Sequence, residues 1–268
     1  MPVIKANGID IYYEEQGSGT PLVLIAGLGY PLWEWHQMVP YLAEHFRVIS
    51  FDNRGVGQTD KPAGPYTASL LAADLAGLLQ ALGINKATVM GHSMGGFIAQ
   101  AFALEHADLL DKLILASTNF GGPHHAPITP EAMKVLTDIT SDPLTRFKNG
   151  LLVSTAPGFA ENQPEILQAW LDWRLANPLH LPGYQAQMAV GMGLLAEAAC
   201  FEHKLNQVTA PSLVLFGAHD KVVPPANASL LANRLPNSTI HILENAGHFF
   251  PLETPQQAAQ AIQQFALQ

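Results

Sequence analysis

Residues 91–96 read GHSMGG, and this hexapeptide decides how the rest of the chain is interpreted. It follows an apolar run at residues 87–90 and precedes a helical pattern, so a strand is predicted to turn sharply into a helix at Ser93. A serine raised above a sheet in this way has a strained backbone, and side chains two positions away would collide. Gly91 and Gly95 remove those side chains. We interpret the hexapeptide as a nucleophile elbow; the alternative is a glycine-rich turn whose serine only caps the helix.

Short apolar runs alternate with helical patterns on both sides of the hexapeptide. The chain begins with two β-like runs, at residues 3–6 and 9–15, joined by Asn7-Gly8, a strong hairpin signal. Further strands are predicted at residues 21–25, 47–51, 113–116, 212–216 and 239–243, and helices near residues 35–45, 67–82 and 227–235. This alternation predicts an α/β fold, in which helices flank a mostly parallel sheet of roughly eight strands.

The alternation stops between about residues 119 and 208. Several helical patterns occur there without a convincing strand, and they are divided by Pro123, Pro127, Pro130, Pro143, Pro157, Pro164, Pro178 and Pro182. The strand and helix pattern then resumes and ends in a last helix, for which residues 254–257 (TPQQ) predict a capping box. We therefore predict a core domain of residues 1–118 and 208–268, with a helical lid of residues 119–207 inserted after the sixth strand.

The composition excludes several classes of protein. With 268 residues, 48% of them hydrophobic and 13% charged, the chain is long and apolar enough for a substantial core and does not resemble a disordered protein. The formal charge is −9 and no basic run occurs, which argues against a nucleic-acid partner. No apolar run reaches the length of a membrane span, and no secretion signal is predicted. Cys200 is the single cysteine, so an internal disulfide is excluded, and a cytoplasmic location is expected.

The chain resembles the α/β-hydrolases, especially the branch that contains 3-oxoadipate enol-lactonases, small carboxylesterases and cofactor-free haloperoxidase-like esterases. Besides the elbow, residues 52–59 (DNRGVGQT) resemble the D-x-R-G-x-G-x-S loop of that branch, with Thr59 in place of the usual serine. The similarity covers about residues 21–117 and the part of the chain after residue 211. It implies the α/β-hydrolase fold, a Ser-His-Asp triad, and catalysis without a metal or cofactor.

A serine hydroxyl needs a histidine base, and the base needs a group that orients its imidazole. In the resembled family the chain order is serine, acid, histidine. Asp220 follows the predicted strand at residues 212–216, and His248 follows the last predicted strand, so we predict the triad Ser93, Asp220 and His248. The alternatives are a turn or helix-cap role for Asp220 and a solvated surface position for His248.

Two backbone amides are expected to bind the oxyanion that forms during attack on a carbonyl. One belongs to Met94, the residue after the nucleophile, and the resemblance assigns the other to Leu28 in the loop AGLG at residues 26–29. Relatives commonly have His-Gly-x-Gly there, so the histidine of that loop is missing. The alternative is a plain turn.

Other titratable residues are given structural interpretations. We interpret Asp52 and Arg54 as a pair that ties core segments together without touching substrate. His92 occupies the variable position of the elbow and is interpreted as a packing residue. His124 and His125 have no spaced set of further ligands around them, so no metal site is predicted.

The predicted lid supplies the apolar surface of a substrate pocket. Its large apolar residues are Leu151, Leu152, Phe159, Trp170, Trp173, Met188, Met192, Leu194 and Leu195. Substrate contacts are predicted for Trp170, Trp173, Met188 and Met192, with an uncharged, hydrophobic acyl or aryl group as the ligand. A substrate carboxylate would need a cation, for which the lid offers Arg146, Lys148 and Arg174; ordinary surface charge is the alternative for each.

The predicted activity is hydrolysis of small-molecule carboxylic esters or lactones through an acyl-enzyme. Three alternatives stay open. The first is a cofactor-free perhydrolase, with peroxide as acyl acceptor, and the second is a carbon–carbon bond hydrolase. The third, from a different class, is a ligand receptor that uses a hydrolase scaffold without catalysis.

Overall fold

A computed structural model describes residues 2–138 and 140–268. In these ranges the strands are β1 (Val3–Ala6), β2 (Ile9–Gln16), β3 (Thr20–Ile25), β4 (Phe46–Phe51), β5 (Ala87–His92), β6 (Leu110–Ala116), β7 (Ser212–Gly217) and β8 (Ser238–Leu243). They form one sheet in the order β1-β2-β4-β3-β5-β6-β7-β8. β2 pairs antiparallel with β1 and β4, and the other pairs are parallel. The predicted α/β fold with a mostly parallel sheet of eight strands is confirmed.

The helices cover both faces of this sheet. They are α1 (Val39–Leu42), α2 (Ala68–Ala81), α3 (Met94–Glu105), α4 (Pro130–Leu136), α5 (Pro143–Ser154), α6 (Phe159–Asn162), α7 (Pro164–Ala176), α8 (Leu181–Met192), α9 (Ala226–Ala232), α10 (Phe250–Glu253) and α11 (Pro255–Ala266). Within the described ranges, none of these helices combines the length and the apolar character that a membrane crossing requires.

Alternation along the strands divides the core into two layers. In β3, Leu22 and Leu24 face the layer that contains α1 and α11, whereas Val23 and Ile25 face the layer that contains α2 and α3. All four side chains are fully buried. Strands buried on both faces explain why these runs are continuously apolar in the sequence.

Two sequence predictions about helices are wrong. The helix predicted at residues 35–45 is a 3-10 turn at Leu32–Trp35 followed by the short α1. Pro40 lies in the first turn of α1, where its missing N–H and its ring prevent a longer helix from running through it. The capping box at residues 254–257 does not form, because Thr254 also ends α10 and its backbone N–H donates to the Phe250 carbonyl at 2.9 Å.

The switch in strand order positions the candidate site. β3 and β5 are neighbours in the sheet. After β3 the chain continues to β4, which lies on the far side of β3 from β5, and after β5 it continues to β6, which lies on the far side of β5 from β3. The carboxyl ends of β3 and β5 therefore border a crevice, which is where open α/β sheets bind their ligands. The helices α4 to α8, here called the α4–α8 segment (residues 119–207), lie between β6 and β7 in the chain.

Candidate active site

The turn from β5 into α3 places Ser93 at this crevice. Ser93 has φ 54° and ψ −118°, a backbone conformation that residues other than glycine rarely adopt. Its N–H donates to the Ala116 carbonyl at 2.9 Å, which fixes the turn against the end of β6. A Cβ on Gly91 would collide with the backbone of Gly95, and a Cβ on Gly95 would collide with the Ile25 carbonyl. The two glycines are therefore required by close backbone packing on both sides of the serine.

Asp220 and His248 meet at the ends of β7 and β8. The distance between Asp220 Oδ2 and His248 Nδ1 is 2.8 Å, and the two residues are only 3% and 5% exposed. The other carboxylate oxygen, Oδ1, accepts hydrogen bonds from the backbone N–H groups of Val222 and Val223 at 2.9 and 2.8 Å. Nδ1 is therefore the ring nitrogen of His248 that faces the carboxylate, and Nε2 is left for another partner.

The backbone of His248 is held from several directions. Its N–H donates to the Ser154 carbonyl at 2.7 Å, and its carbonyl is 2.9 Å from His92 Nε2. The His92 and His248 rings lie with their centroids 4.7 Å apart, which brings His248 beside the residue that precedes Ser93. The hydrogen bonds of the described residues do not include one between the Ser93 hydroxyl and His248.

A cavity of about 220 Å³ opens beside Ser93. Its lining residues are Leu28, Ser93, Met94, Phe97, Thr118, Asn119, Gln187, Met188, Gly191 and Val223. The two residues predicted to supply oxyanion-binding amides, Leu28 and Met94, therefore face the same space as the serine. No charged residue is among those described residues. The cavity is largely apolar, with a few amide and hydroxyl groups.

The four residues predicted to contact substrate lie in different environments. Met188 lines the cavity beside Ser93. Trp170 is fully buried, with its ring 4.9 Å from Trp33 and 5.3 Å from Phe249, and it is not among the residues that line this cavity. Met192 is 65% exposed. Of the four, only Met188 borders the cavity that contains the serine.

Trp173, the remaining one, lines a second cavity of about 400 Å³. It stacks on Trp33 with ring centroids 4.1 Å apart. Arg174 also lines this second cavity, and its guanidinium lies about 5 Å from the rings of Tyr30, Phe147 and Trp173. Arg146 and Lys148 line neither cavity. None of the three cations proposed for a substrate carboxylate therefore borders the cavity beside Ser93.

The interpretation of His92 as a packing residue is incomplete, because both of its ring nitrogens make polar contacts. Nδ1 contacts the carboxylate of Glu34, and both side chains are almost fully buried. Burial lowers the pKa of His92, but the charge of Glu34 and its hydrogen bond outweigh burial, so the pKa is raised. Sequence reasoning missed Glu34, although a single acidic residue within the apolar run at residues 32–35 is a signal for a buried, paired charge.

Asp52 and Arg54 do not pair with each other, which corrects the sequence interpretation. Arg54 binds the Asp74 carboxylate with both Nε and Nη2, at 2.8 and 2.6 Å. Asp52 instead accepts hydrogen bonds from the backbone N–H groups of Leu32 and Gln58, at 2.8 and 2.7 Å. Burial raises the pKa of Asp52 to about 6, although these hydrogen bonds oppose the shift. Both residues serve the core, but through different partners.

His124 and His125 lie at the start of the α4–α8 segment. His124 Nδ1 is 2.8 Å from a carboxylate oxygen of Glu202, and His125 Nδ1 is 2.7 Å from the Gly122 carbonyl. Within residues 2–138 and 140–268, no three histidine, cysteine or acidic side chains lie close enough together to hold a metal ion.

Comparisons with known proteins match most of the chain. The family described as alpha/beta hydrolase fold matches residues 20–255. A 2-hydroxy-6-oxononadienedioate/2-hydroxy-6-oxononatrienedioate hydrolase from Burkholderia vietnamiensis is 30% identical over 246 residues, which cover 89% of this chain and 84% of that protein. For the 3-oxoadipate enol-lactonase 2 of Acinetobacter baylyi, the identity is 31% over 252 residues, covering 92% and 89%.

Similarity of structure extends over the whole chain. A thermophilic esterase from Thermogutta terrifontis matches with a TM-score of 0.83 and 30% identity, covering 100% of this chain and 98% of that one. The resemblance to enol-lactonases and esterases, inferred from the sequence, is thus confirmed. The chain belongs to the alpha/beta hydrolase fold family.

Proposed function

We propose that this hydrolase cleaves small carboxylic esters or lactones through an acyl-enzyme formed on Ser93. His248 is the general base and Asp220 the group that orients it. The observation that carries the proposal is the buried hydrogen bond of 2.8 Å between Asp220 and His248. The His248 ring lies 4.7 Å from that of His92, which directly precedes the serine on its strained turn. These are the parts that a weakly acidic hydroxyl needs for attack on a carbonyl.

The order of proton transfers in the proposed reaction follows from the hydrogen bonds of His248. Asp220 fixes the proton on Nδ1, so Nε2 accepts the proton of the Ser93 hydroxyl as Oγ bonds to the carbonyl carbon. The imidazolium then gives that proton to the leaving alkoxide as the ester C–O bond breaks. In the second half, His248 takes a proton from water, hydroxide adds to the acyl carbon, and the Ser93 oxygen leaves with the returned proton.

The carbonyl oxygen becomes negative in both halves of the reaction. We assign its stabilisation to the backbone N–H groups of Leu28 and Met94, since both residues line the cavity that contains Ser93. A Cβ built on Gly27 would lie 3.4 Å from the Ser93 Cβ, so the residue before Leu28 packs directly against Ser93. Each such donor contributes about 3 to 4 kcal/mol to transition-state stabilisation in enzymes where it was removed.

The lining of the cavity supports an uncharged acyl group as the ligand. Phe97, Met188 and Val223 supply apolar surface, and none of the described lining residues carries a charge. Burial of a carboxylate without a cationic partner is costly. We propose that the α4–α8 segment acts as a lid over a core of residues 1–118 and 208–268, because Gln187, Met188 and Gly191 complete the cavity from α8.

Carbon–carbon bond hydrolysis is the second candidate function. It is favoured by the similarity to the Burkholderia vietnamiensis hydrolase, whose name gives a dioate as its substrate. A dioate carries two carboxylates, whereas the described residues around the cavity beside Ser93 offer no cation. The lining therefore favours the ester or lactone over the dioate.

Replacement of Ser93 tests the proposed function. We expect Ser93→Ala to lower kcat for p-nitrophenyl butyrate by at least about a thousandfold, because the nucleophile is lost. The matched control is Ser69→Ala, which removes an exposed hydroxyl on α2 and should keep the wild-type rate. Circular dichroism and thermal unfolding verify that both variants are folded. Undiminished turnover by folded Ser93→Ala would contradict the assignment, and a vinylogous diketone cleaved faster than any ester would favour the second candidate.

A further inference from the structure

The loop of residues 26–29 needs support from outside itself. It contains Gly27 and Gly29, and Gly29 has φ 73°, so the backbone has few intrinsic restraints. The histidine common in this loop among resembled proteins is absent, with Ala26 in its place. An oxyanion donor is effective only when it is fixed before the reaction, since it then costs no reorganisation. Contacts from outside the loop must therefore fix the peptide planes around Leu28.

The core supplies the contacts on the N-terminal side of Leu28. The Gly27 N–H donates to Glu34 Oε2 at 2.8 Å, and the Gly27 carbonyl accepts a hydrogen bond from the Tyr30 N–H at 3.3 Å. The Gly27 carbonyl belongs to the same peptide plane as the Leu28 N–H. That plane is therefore held by Tyr30.

The α4–α8 segment supplies the contacts on the C-terminal side. The Gly29 N–H, which shares its peptide plane with the Leu28 carbonyl, donates to Gln187 Oε1 at 3.0 Å. The Gly29 carbonyl accepts a hydrogen bond from Arg174 Nη2 at 3.3 Å. With both adjoining planes fixed, φ and ψ of Leu28 are fixed as well. In the described part of the chain, the N–H groups of Gly27 and Gly29 are bound to side chains, and the Leu28 N–H has no protein acceptor.

Gln187 is itself held in one orientation. It is fully buried, and its Nε2 donates to the Arg54 carbonyl at 2.9 Å. Because Gly29 offers an N–H and Arg54 offers a carbonyl, only one of the two amide orientations satisfies both partners. Arg54 is anchored in turn by its two hydrogen bonds to Asp74. A continuous set of buried contacts thus runs from the core through Gln187 to the loop above Ser93.

We propose that Gln187 is a positioning residue for the oxyanion hole, which is complete only when α8 is docked on the core. The inference rests on the proposed function, since it assigns the oxyanion to the Leu28 amide. Gln187 acts through Gly29, by fixing the peptide plane on the C-terminal side of Leu28; together with the Tyr30 contact on the other side, this fixes the backbone conformation of Leu28 and so keeps its N–H in place. Docking of the α4–α8 segment and assembly of the oxyanion hole are then one event.

The test compares Gln187→Met with Gln185→Met. Methionine keeps the approximate length of glutamine but cannot accept the Gly29 N–H bond, and Gln185 is exposed on the same helix. We expect Gln187→Met to lower kcat for p-nitrophenyl butyrate by about tenfold to a hundredfold, the loss that follows from a small misplacement of a reacting or stabilising group. Gln185→Met should keep the wild-type kcat.

Two inhibitors separate positioning of the oxyanion donor from general damage to the cavity. Butylboronic acid forms a tetrahedral adduct on the serine, whereas butyramide binds without an adduct. We expect Gln187→Met to lower the affinity for butylboronic acid by the same factor by which it lowers kcat/KM. The affinity for butyramide should stay unchanged. Equal weakening of both inhibitors, or a wild-type kcat in folded Gln187→Met, would overturn the proposal.

A second variant covers the case in which Gln187→Met does not fold. Gln187→Glu keeps an oxygen for the Gly29 N–H but loses the donor to Arg54, so its kcat should fall less than that of Gln187→Met or of Gln187→Ala. Equal kcat values in the glutamate and alanine variants would also overturn the proposal. Activity of Ser93→Ala would instead reject the proposed function, so the two failures are distinguishable.

Discussion

Glu253, the last residue of α10, holds the loop that carries His248. Its carboxylate accepts hydrogen bonds from the Ala156 N–H at 2.5 Å and from the Gly247 N–H at 2.9 and 3.1 Å. Burial, together with the nearby charge of Asp220, raises the pKa of Glu253 to about 7, although the hydrogen bonds from the two N–H groups oppose the shift. The carboxylate that braces the histidine loop therefore changes its charge near neutral pH.

This raised pKa predicts a pH-dependent stability. The folded protein holds the Glu253 proton more tightly than the unfolded chain, whose pKa is 4.5, so stability is lost as pH rises from about 5 towards 8. Glu253→Gln removes the titration. We expect the Tm of the wild type, relative to that of the variant, to fall between pH 5 and pH 8 in thermal denaturation. Parallel pH dependence in the two proteins would show that Glu253 does not titrate in this range.

At the scale of elements, α3 packs so closely on the end of β3 that only a residue without a side chain fits at the point of contact. A Cβ on Gly95 would collide with the backbone carbonyl oxygens of Ile25 and Ala26, which cannot move without distorting β3. Gly150, within α5, has a different environment. A Cβ there would meet only the Leu136 Cδ2, at an ordinary contact distance of 3.5 Å.

The same substitution is therefore expected to have opposite effects in the two helices. Gly95→Ala should lower the free energy of unfolding by about 1 to 3 kcal/mol or more, because the added methyl group overpacks the crossing. Gly150→Ala should raise it by about 0.5 to 1 kcal/mol, because alanine loses less entropy than glycine in a helix. Urea denaturation measures both values. Destabilisation by Gly150→Ala, or a neutral Gly95→Ala, would contradict this account of helix packing.

At the scale of the whole molecule, the sheet brings the candidate site residues together from distant parts of the chain. Leu28 follows β3, Ser93 follows β5, Asp220 follows β7 and His248 follows β8, so all four lie beyond the carboxyl ends of parallel strands. Gln187 joins them from α8. The cavity of about 220 Å³ beside Ser93 is lined from the segments that follow β3, β5, β6 and β7 and from α8, and its described lining is uncharged.

An uncharged cavity predicts discrimination against charged acyl groups. We expect kcat/KM for p-nitrophenyl hydrogen glutarate to be at least about a hundredfold below that for p-nitrophenyl methyl glutarate, because the free carboxylate would be buried without a cation. The two esters differ only in the methyl group that removes the charge. Steady-state kinetics at pH 7 with both substrates measures the ratio. Similar values for both esters would show that a cation reaches the acyl group.

The order of strands and helices could be predicted because it depends on local patterns. Continuous apolar runs, the helical spacing of leucines in α2 and the Asn7-Gly8 turn each act within a few residues. The candidate triad also had a local signal, since each member follows a strand in the order typical of the resembled family. Local patterns failed where neighbouring elements compete for the same residue, as at Thr254, which ends one helix and begins another.

The sequence by itself determined the α/β architecture and the glycine-flanked Ser93, because backbone sterics and hydrophobic periodicity are properties of short segments. Only the tertiary structure decided that Met188 rather than Trp170 or Met192 lines the cavity beside Ser93, and that Gln187 and Glu34 hold the loop carrying Leu28. Gln187 and Gly29 are 158 positions apart. Contacts of this kind depend on how a helix docks and which face it turns inward, and that is settled by packing of the whole chain.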